Sequence, residues 1–319
     1  SESARRHADG QRWGRAYPML SRIDPMVRLL ALAIVLATLL PATGAGRDAA
    51  QLVSNMAVFL LFFLNGMRLS RTEVARGIGN WRFLAVLAAW SFLILALVGL
   101  GVSRLMAPML PPLVTLGFLY LGTLPTTVQS ATAYTSMAGG NVAIAVVAAA
   151  LLNIMGVFVS VPLFTVLGGG AEAQLGASGL TKIVIILILP FALGQLLQAR
   201  GGKFVTDNPV LVRSMDRAAI AIAVYVAFSG AVEQGIWSLL DAGSWAWLLA
   251  GLTGMLIIAY GGAWLVGGAL RLGKPDRIAF LFGGAHKSVA MGAPLALVLF
   301  PASSAGLILV PLLIYHLLQ

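Results

Sequence analysis

The chain has 319 residues, of which 59% are hydrophobic and only 10% charged, and its mean hydropathy is +0.93. A water-soluble domain carries about a quarter charged residues and about 45–50% apolar ones, so a soluble enzyme is excluded and the surface must meet lipid. The absence of Cys removes disulfide scaffolds, thiol redox chemistry and Cys-based metal sites, and the continuous apolar runs do not alternate as a β-barrel would.

In chain order, residues 1–24 form a polar, basic tail without the apolar stretch of a signal peptide. It reads as cytoplasmic, either a disordered tail or a segment lying on anionic lipid, with a short interfacial helix over 13–20 favoured. Ten apolar segments follow, each near the length a bilayer requires. They cover residues 27–40, 52–67, 83–106, 113–137, 142–166, 183–197, 218–231, 245–270, 278–300 and 305–318. The expected fold is an all-α polytopic membrane protein.

The basic residues orient these spans. Arg5, Arg6, Arg12, Arg15, Arg22, Arg28, Arg68, Arg71, Arg76, Arg82, Arg200, Lys203, Arg213, Arg217, Arg271, Lys274 and Arg277 all fall on one side of a ten-span chain. Only Arg47, Arg104 and Lys182 fall on the other. Seventeen against three places both termini in the cytoplasm, with the inner (plasma) membrane as the location. This loop bias also accounts for the net charge of +10 without nucleic acid, since no basic–aromatic module is present.

The two halves share a plan. The run 122–128 in the fourth span aligns with 283–289 in the ninth, and Asn65-Gly66 with Ser229-Gly230. Five spans per half make the second half enter from the opposite side, an inverted repeat of the kind secondary transporters use. The fourth span holds Thr123, Pro125, Thr126, Thr127, Gln129, Ser130 and Thr132, a polar density with no reason to face lipid. Pro125 removes a backbone donor there. The ninth holds Gly284, His286, Lys287, Ser288 and Pro294. Breaks near 125–127 and 285–288, with Pro125, Gly284 and Pro294 as breakers, predict two interrupted helices that cross. Thr135 and Asn153 are read as helix–helix glue.

Lys287 lies about ten residues into its span, near mid-depth. An ammonium there costs about 2.5–3.5 kcal/mol on insertion scales. The acids Glu2, Asp9, Asp24, Asp48, Glu73, Glu172, Asp207, Asp216, Glu233, Asp241 and Asp276 all sit in tails, loops or span ends. Thr126, Thr127, Gln129 and Ser130 are the oxygens expected around Lys287, with Asn141 and Ser288 at the edge. Thr132 and His286 complete the candidate substrate- or ion-binding set, and His286 could titrate near neutral pH.

Leu124-Pro125-Thr126-Thr127-Val128-Gln129-Ser130, Gly140-Asn141-Val142-Ala143 and Lys287-Ser288 with Gly292-Ala293-Pro294-Leu295-Ala296 resemble the bile acid:sodium symporter superfamily. The match is to the branch typified by the seventh member of solute carrier family ten, from about residue 25 onward. The resemblance implies ten helices in two inverted five-helix repeats, with the fourth and ninth broken and crossing. It implies a panel (about 25–70 and 180–235), a core (about 80–170 and 244–319) and a substrate cavity between them. It also implies Na+ coupling. Where those relatives carry a Glu and a Gln for sodium in the ninth helix, this chain has Lys287 and Met291, and their Ser-Asn pair falls near Ala131 and Thr132.

The leading function is a symporter-like secondary transporter of a small organic solute, with an anion favoured, working by alternating access as a monomer or homodimer. Coupling is by Na+ through the family, by H+, or replaced by Lys287 in the ion site. Beyond that Na+, no cofactor and no metal site is expected. The alternatives are a non-transporting membrane regulator of ion homeostasis and an intramembrane enzyme. The chain has no His-Glu-x-x-His, no Gly-x-Ser-x-Gly and no paired intramembrane carboxylates, so it is read as no enzyme.

Overall fold

A computed structural model describes residues 24–68, 70, 72, 75, 79–169 and 181–319. The expected interfacial helix at 13–20, the basic residues of the N-terminal tail before Asp24, and Arg71 and Arg76 lie outside the described residues. Among the described residues every regular element is helical.

In chain order the helices are α1 (Pro25–Leu39), α2 (Gly44–Arg68), α3 (Trp81–Met106), α4 (Pro112–Thr123), α5 (Val128–Met137) and α6 (Val142–Gly168). Then come α7 (Thr181–Asp207), α8 (Pro209–Glu233), α9 (Ala242–Ala269), α10 (Lys274–Ala285), α11 (Val289–Leu299) and α12 (Ala302–Leu318). Six of these, α2, α3, α6, α7, α8 and α9, are long and apolar enough to cross a bilayer. The other four expected spans correspond to shorter helices: α1, α4 with α5, α10 with α11, and α12.

Local chemistry sets many of the ends. Asp24 caps α1 by accepting from the Met26 amide at 2.6 Å, with Pro25 in the first turn. Asn141 caps α6 and Asp241 caps α9 in the same way, through the Ile144 and Ser244 amides. At that cap the Ser244 amide, donating to the carboxylate, holds the Asp241 carboxyl below the usual carboxylate range. Asn208-Pro209 divides α7 from α8, since proline cannot continue the first helix but suits the start of the next. Helices α2, α7 and α8 run past the apolar stretches that predicted them. Their polar ends, such as Arg47 to Gln51 and Pro209 to Arg217, stay helical because no breaker intervenes.

Helix contacts rely on glycine. The α2–α7 crossing brings Gly66 against Gly194: a Cβ on Gly194 would lie 3.0 Å from the Gly66 Cα and clash with the Phe63 carbonyl. Backbone on both sides leaves nothing to yield. Gly194→Val should therefore force the helices apart, costing about 1–3 kcal/mol or more, with a lower melting temperature and a broadened size-exclusion peak. Gly254→Val, where a Cβ meets nothing within 4 Å, should leave both unchanged. Equal behaviour of the two variants would refute this packing. Ion pairs Arg47–Glu233 and Arg68–Asp216 join α2 to α8, one at each end.

Candidate functional site

The segments 112–137 and 274–299 are each interrupted. Helix α4 stops at Thr123, the backbone is extended at Leu124 and Thr127, and α5 begins at Val128. Pro125 explains this break, since it cannot bond back into α4. The second segment is extended through His286, Lys287 and Ser288. Gly284 and Pro294, expected to be breakers, are not: Gly284 lies within α10 and Pro294 within α11. Gly284 is a packing glycine, because a Cβ there would sit 2.8 Å from Trp90 Cδ1, and its carbonyl accepts from Trp90 Nε1 at 3.2 Å. The extended stretch is instead held from outside its own helix. The Ser288 amide donates to the Pro125 carbonyl at 2.9 Å, so the two breaks cross. The Gln319 side chain clamps the Lys287 peptide, accepting from its amide at 2.8 Å and donating to its carbonyl at 3.2 Å. The Ser288 hydroxyl caps α11 through the Met291 amide.

Lys287 is fully buried. Its ammonium donates to the carbonyls of Ser91 (3.0 Å), Gly122 (3.0 Å) and Leu124 (2.7 Å). An ammonium has three protons, so all are used. Each acceptor is available for a local reason. Gly122 and Leu124 belong to the end of α4 and the break, where their usual amide partners have left the helix. Ser91 lies in a π-helical segment of α3, Ala89–Ile94, where the Leu95 amide bonds Trp90 rather than Ser91. The C-terminal end of α4 adds its negative dipole. Carbonyl dipoles lower the cost of the buried charge but leave it uncompensated.

The side-chain oxygens expected at the ammonium are elsewhere. Thr126 is buried with its hydroxyl unpartnered, while its carbonyl accepts from Asn153 Nδ2 at 2.8 Å. Thr127, Gln129 and Ser130 line a cavity. Thr132 returns its proton to the Val128 carbonyl at 2.7 Å. Asn141 is away from the crossing: besides capping α6 it donates to Asp276 at 2.8 Å, and its amide bonds the Pro275 carbonyl, tying α6 to the start of α10.

His286 is ringed by Tyr134, Tyr260 and Phe282, with ring centroids 5.5–6.0 Å away. Ser130 Oγ lies 2.8 Å from its Nδ1 and the Tyr260 hydroxyl 2.8 Å from its Nε2. The Tyr260 hydroxyl also donates to the Gln319 carbonyl at 3.0 Å. One set of protons satisfies the whole chain: Ser130 donates to Nδ1, and Nε2–H donates to Tyr260. Ser91, Tyr260, Asn153 and Gln319 fall outside the set of site residues that the sequence suggests. Only Asn153, a polar residue in mid-span, carries a visible signal.

A cavity of about 580 Å³ adjoins the breaks. One wall comes from α1, α2, α7 and α8, with Leu61, Phe62, Arg68, Phe191, Asp216 and Arg217. The other comes from α5, α6, α11 and α12, with Gln129, Ser130, Asn153, Ser288, Met291 and Gln319. Arg68 is committed to Asp216 and to Asn65 Oδ1 at 3.1 Å, whereas Arg217 Nε is buried without a partner. Among the described residues no group of three or more His, Asp or Glu is placed to hold a metal ion. The arrangement is a mostly apolar chamber with a few polar groups beside two interrupted helices.

The model of the SBF-like CPA transporter family matches residues 24–319. The chain is 38% identical to an uncharacterised protein of Pseudomonas aeruginosa, over 93% of this chain and 89% of the relative. It is 36% identical to "Putative symporter YfeH" of Escherichia coli, over 93% and 90%. It is 24% identical to sodium/bile acid cotransporter 7 of Mus musculus, over 83% and 78%.

Proposed function

The chain belongs to the SBF-like CPA transporter family, and on that premise we propose that it is a secondary active transporter moving a small organic anion by alternating access. Membership makes it a multi-pass membrane transport protein and not an enzyme. The observation that carries the mechanism is the crossing of two interrupted helices beside a cavity of about 580 Å³, the arrangement in which transporters bind solutes near mid-membrane.

In this reading α4–α5 and α10–α11 are single broken spans, giving ten in two inverted repeats. Packing supports the repeat, because partners exchange in matched pairs: α2 on α7 and α8 on α1, α3 on α4 and α9 on α10, α5 on α6 and α11 on α12. Helices α1, α2, α7 and α8 act as panel, and α3–α6 with α9–α12 as core. The solute occupies the cavity between them, with its charge toward Arg217 and its apolar body against Leu61, Phe62 and Phe191. Sodium is named for the mouse relative; here the Lys287 ammonium stands in the ion's place, and the transporter runs without it.

Uptake of radiolabelled organic anions by purified protein in liposomes tests this, preceded by a thermal-shift screen. No ligand-dependent shift and no uptake across a broad anion set would defeat the proposal. Sidedness is checked independently. The protein has no Cys, so single Cys substitutions at Arg213 and Lys274 should react with an impermeant maleimide only from the cytoplasmic side of the inner membrane. A Cys at Arg104 should react only from the outside. The opposite pattern would invert the topology.

A further inference from the structure

A second, smaller cavity of about 420 Å³ lies beside the main one, between one face of α8 and one face of α5. Val210, Arg213, Ser214 and Arg217 follow the i, i+3, i+4, i+7 spacing of a single helical face, and Gln129 and Thr132 face them from α5. No carboxylate lines it. The one acid within this turn of α8, Asp216, pairs with Arg68, lies within electrostatic reach of Arg217 without hydrogen-bonding it, and lines the main cavity, not this one. Arg213 and Arg217 are one turn apart, so their like charges repel when nothing lies between them. Arg217 Nε is buried and has no hydrogen-bond partner. The hydroxyls of Thr132 and Ser214 return their protons to their own helices, to Val128 and Val210 carbonyls. The donors facing the cavity are therefore two guanidiniums and the Gln129 amide, and no anionic acceptor faces it. Asp216 offsets part of the Arg217 charge from the main-cavity side and leaves Arg213 without a carboxylate in the lining.

We infer that this cavity is a second anion site that takes one phosphate group, held between the Arg213 and Arg217 guanidiniums with Gln129 as a neutral donor. Two planar forks match a phosphate's oxygens and its charge, about −1 for a lipid phosphodiester and about −1.5 to −2 for a free phosphate or monoester. Gln129 and Arg217 also line the main cavity, so an anion here abuts the solute chamber and shares the five donors of the Arg217 guanidinium with the solute's charge. It also bridges α5 to α8 across opposite walls of that chamber, and its binding favours the relation of the walls seen here. The phosphate belongs either to a soluble anion or to an acidic lipid headgroup. The site stands independently of the transport reading, because its test measures binding.

The test titrates inorganic phosphate into the full-length protein in phosphatidylcholine nanodiscs, against chloride at equal ionic strength, and reads the melting temperature. Phosphate should stabilise the wild type. Arg213→Gln, an exposed residue that lines only this cavity, should raise the apparent Kd at least tenfold. Ala150→Leu, which narrows the main cavity alone, should leave it unchanged. Phosphate acting no differently from chloride, Arg213→Gln binding as the wild type does, or Ala150→Leu weakening binding as much as Arg213→Gln would each overturn the site. Repeating the titration in phosphatidylglycerol nanodiscs separates the sources. If the phosphate effect vanishes there and Arg213→Gln now lowers the melting temperature, the headgroup is the occupant; if the effect persists, the occupant is soluble. Either supports the site.

Discussion

Lys287→Met should reduce solute uptake to background, a loss of at least a hundredfold, while lowering the melting temperature by only a few degrees. The two effects separate because the ammonium does two different things. Structurally it satisfies three carbonyls, those of Ser91, Gly122 and Leu124. Each hydrogen bond lost costs about 1 kcal/mol net, more where the acceptor is left dry. Removing the charge also recovers the cost of burying an ammonium without a carboxylate, which opposes that loss. The sum is a modest destabilisation, a few degrees for a chain of this size. Functionally nothing offsets the change. The crossing of the two breaks loses its only fixed cation among the described residues, and with it the three hydrogen bonds by which the 286–288 stretch holds the end of α4 and the Ser91 carbonyl of α3. Uptake in liposomes, normalised to protein that elutes as a single peak, is the measurement. Normal uptake by the variant would show that Lys287 is only a tether.

Part of this site is legible in the residues themselves. Pro125 announces a break because it lacks an amide, and the polar run from Thr126 to Thr132 announces a face that avoids lipid. Lys287 is conspicuous from its depth alone. What stays hidden has a common physical cause. The groups that hold the ammonium are main-chain carbonyls, which every residue possesses and none advertises. The π-helical segment around Ser91 that releases one of them, Ala89–Ile94, contains no proline or glycine to announce it. The second break carries no breaker of its own: Gly284 packs on Trp90 and Pro294 sits inside α11. It is held by the Pro125 carbonyl and the Gln319 amide, partners 163 and 32 residues away in the chain at Ser288 and Lys287. Asn141 shows the reverse case. A helix-start Asn three residues before Ile144 is first of all a cap, and the structure uses it so, with Asp276 as a further tie.

Replacing sodium with choline should leave wild-type uptake unchanged, whereas Lys287→Ala should acquire a sodium-dependent melting temperature. Unwound carbonyls and half-helix C-termini are the groups with which transporters of this type hold their coupling ion. Here three such oxygens already surround a monovalent cation that cannot leave, at 2.7–3.0 Å. Ammonium and sodium would compete for the same negative ends of the same dipoles, so a tethered ammonium excludes the free ion. Truncation to Ala removes both the charge and the side chain that fills the approach, and leaves the oxygens facing one another. A sodium ion can then enter and relieve that repulsion. At a hundred times its Kd it would stabilise the variant by about 2.7 kcal/mol, a shift of several degrees, with no comparable shift in the wild type. Uptake that stops in choline would refute the exclusion for the wild type. An ion would then have to use other oxygens of the crossing, and the buried, unpartnered hydroxyls of Ser91 and Thr126 are the first to test. If Lys287→Ala melts identically in sodium and choline, the carbonyl cluster is shaped for an ammonium alone, and the lysine is a structural pin in the crossing and not a substitute for the ion.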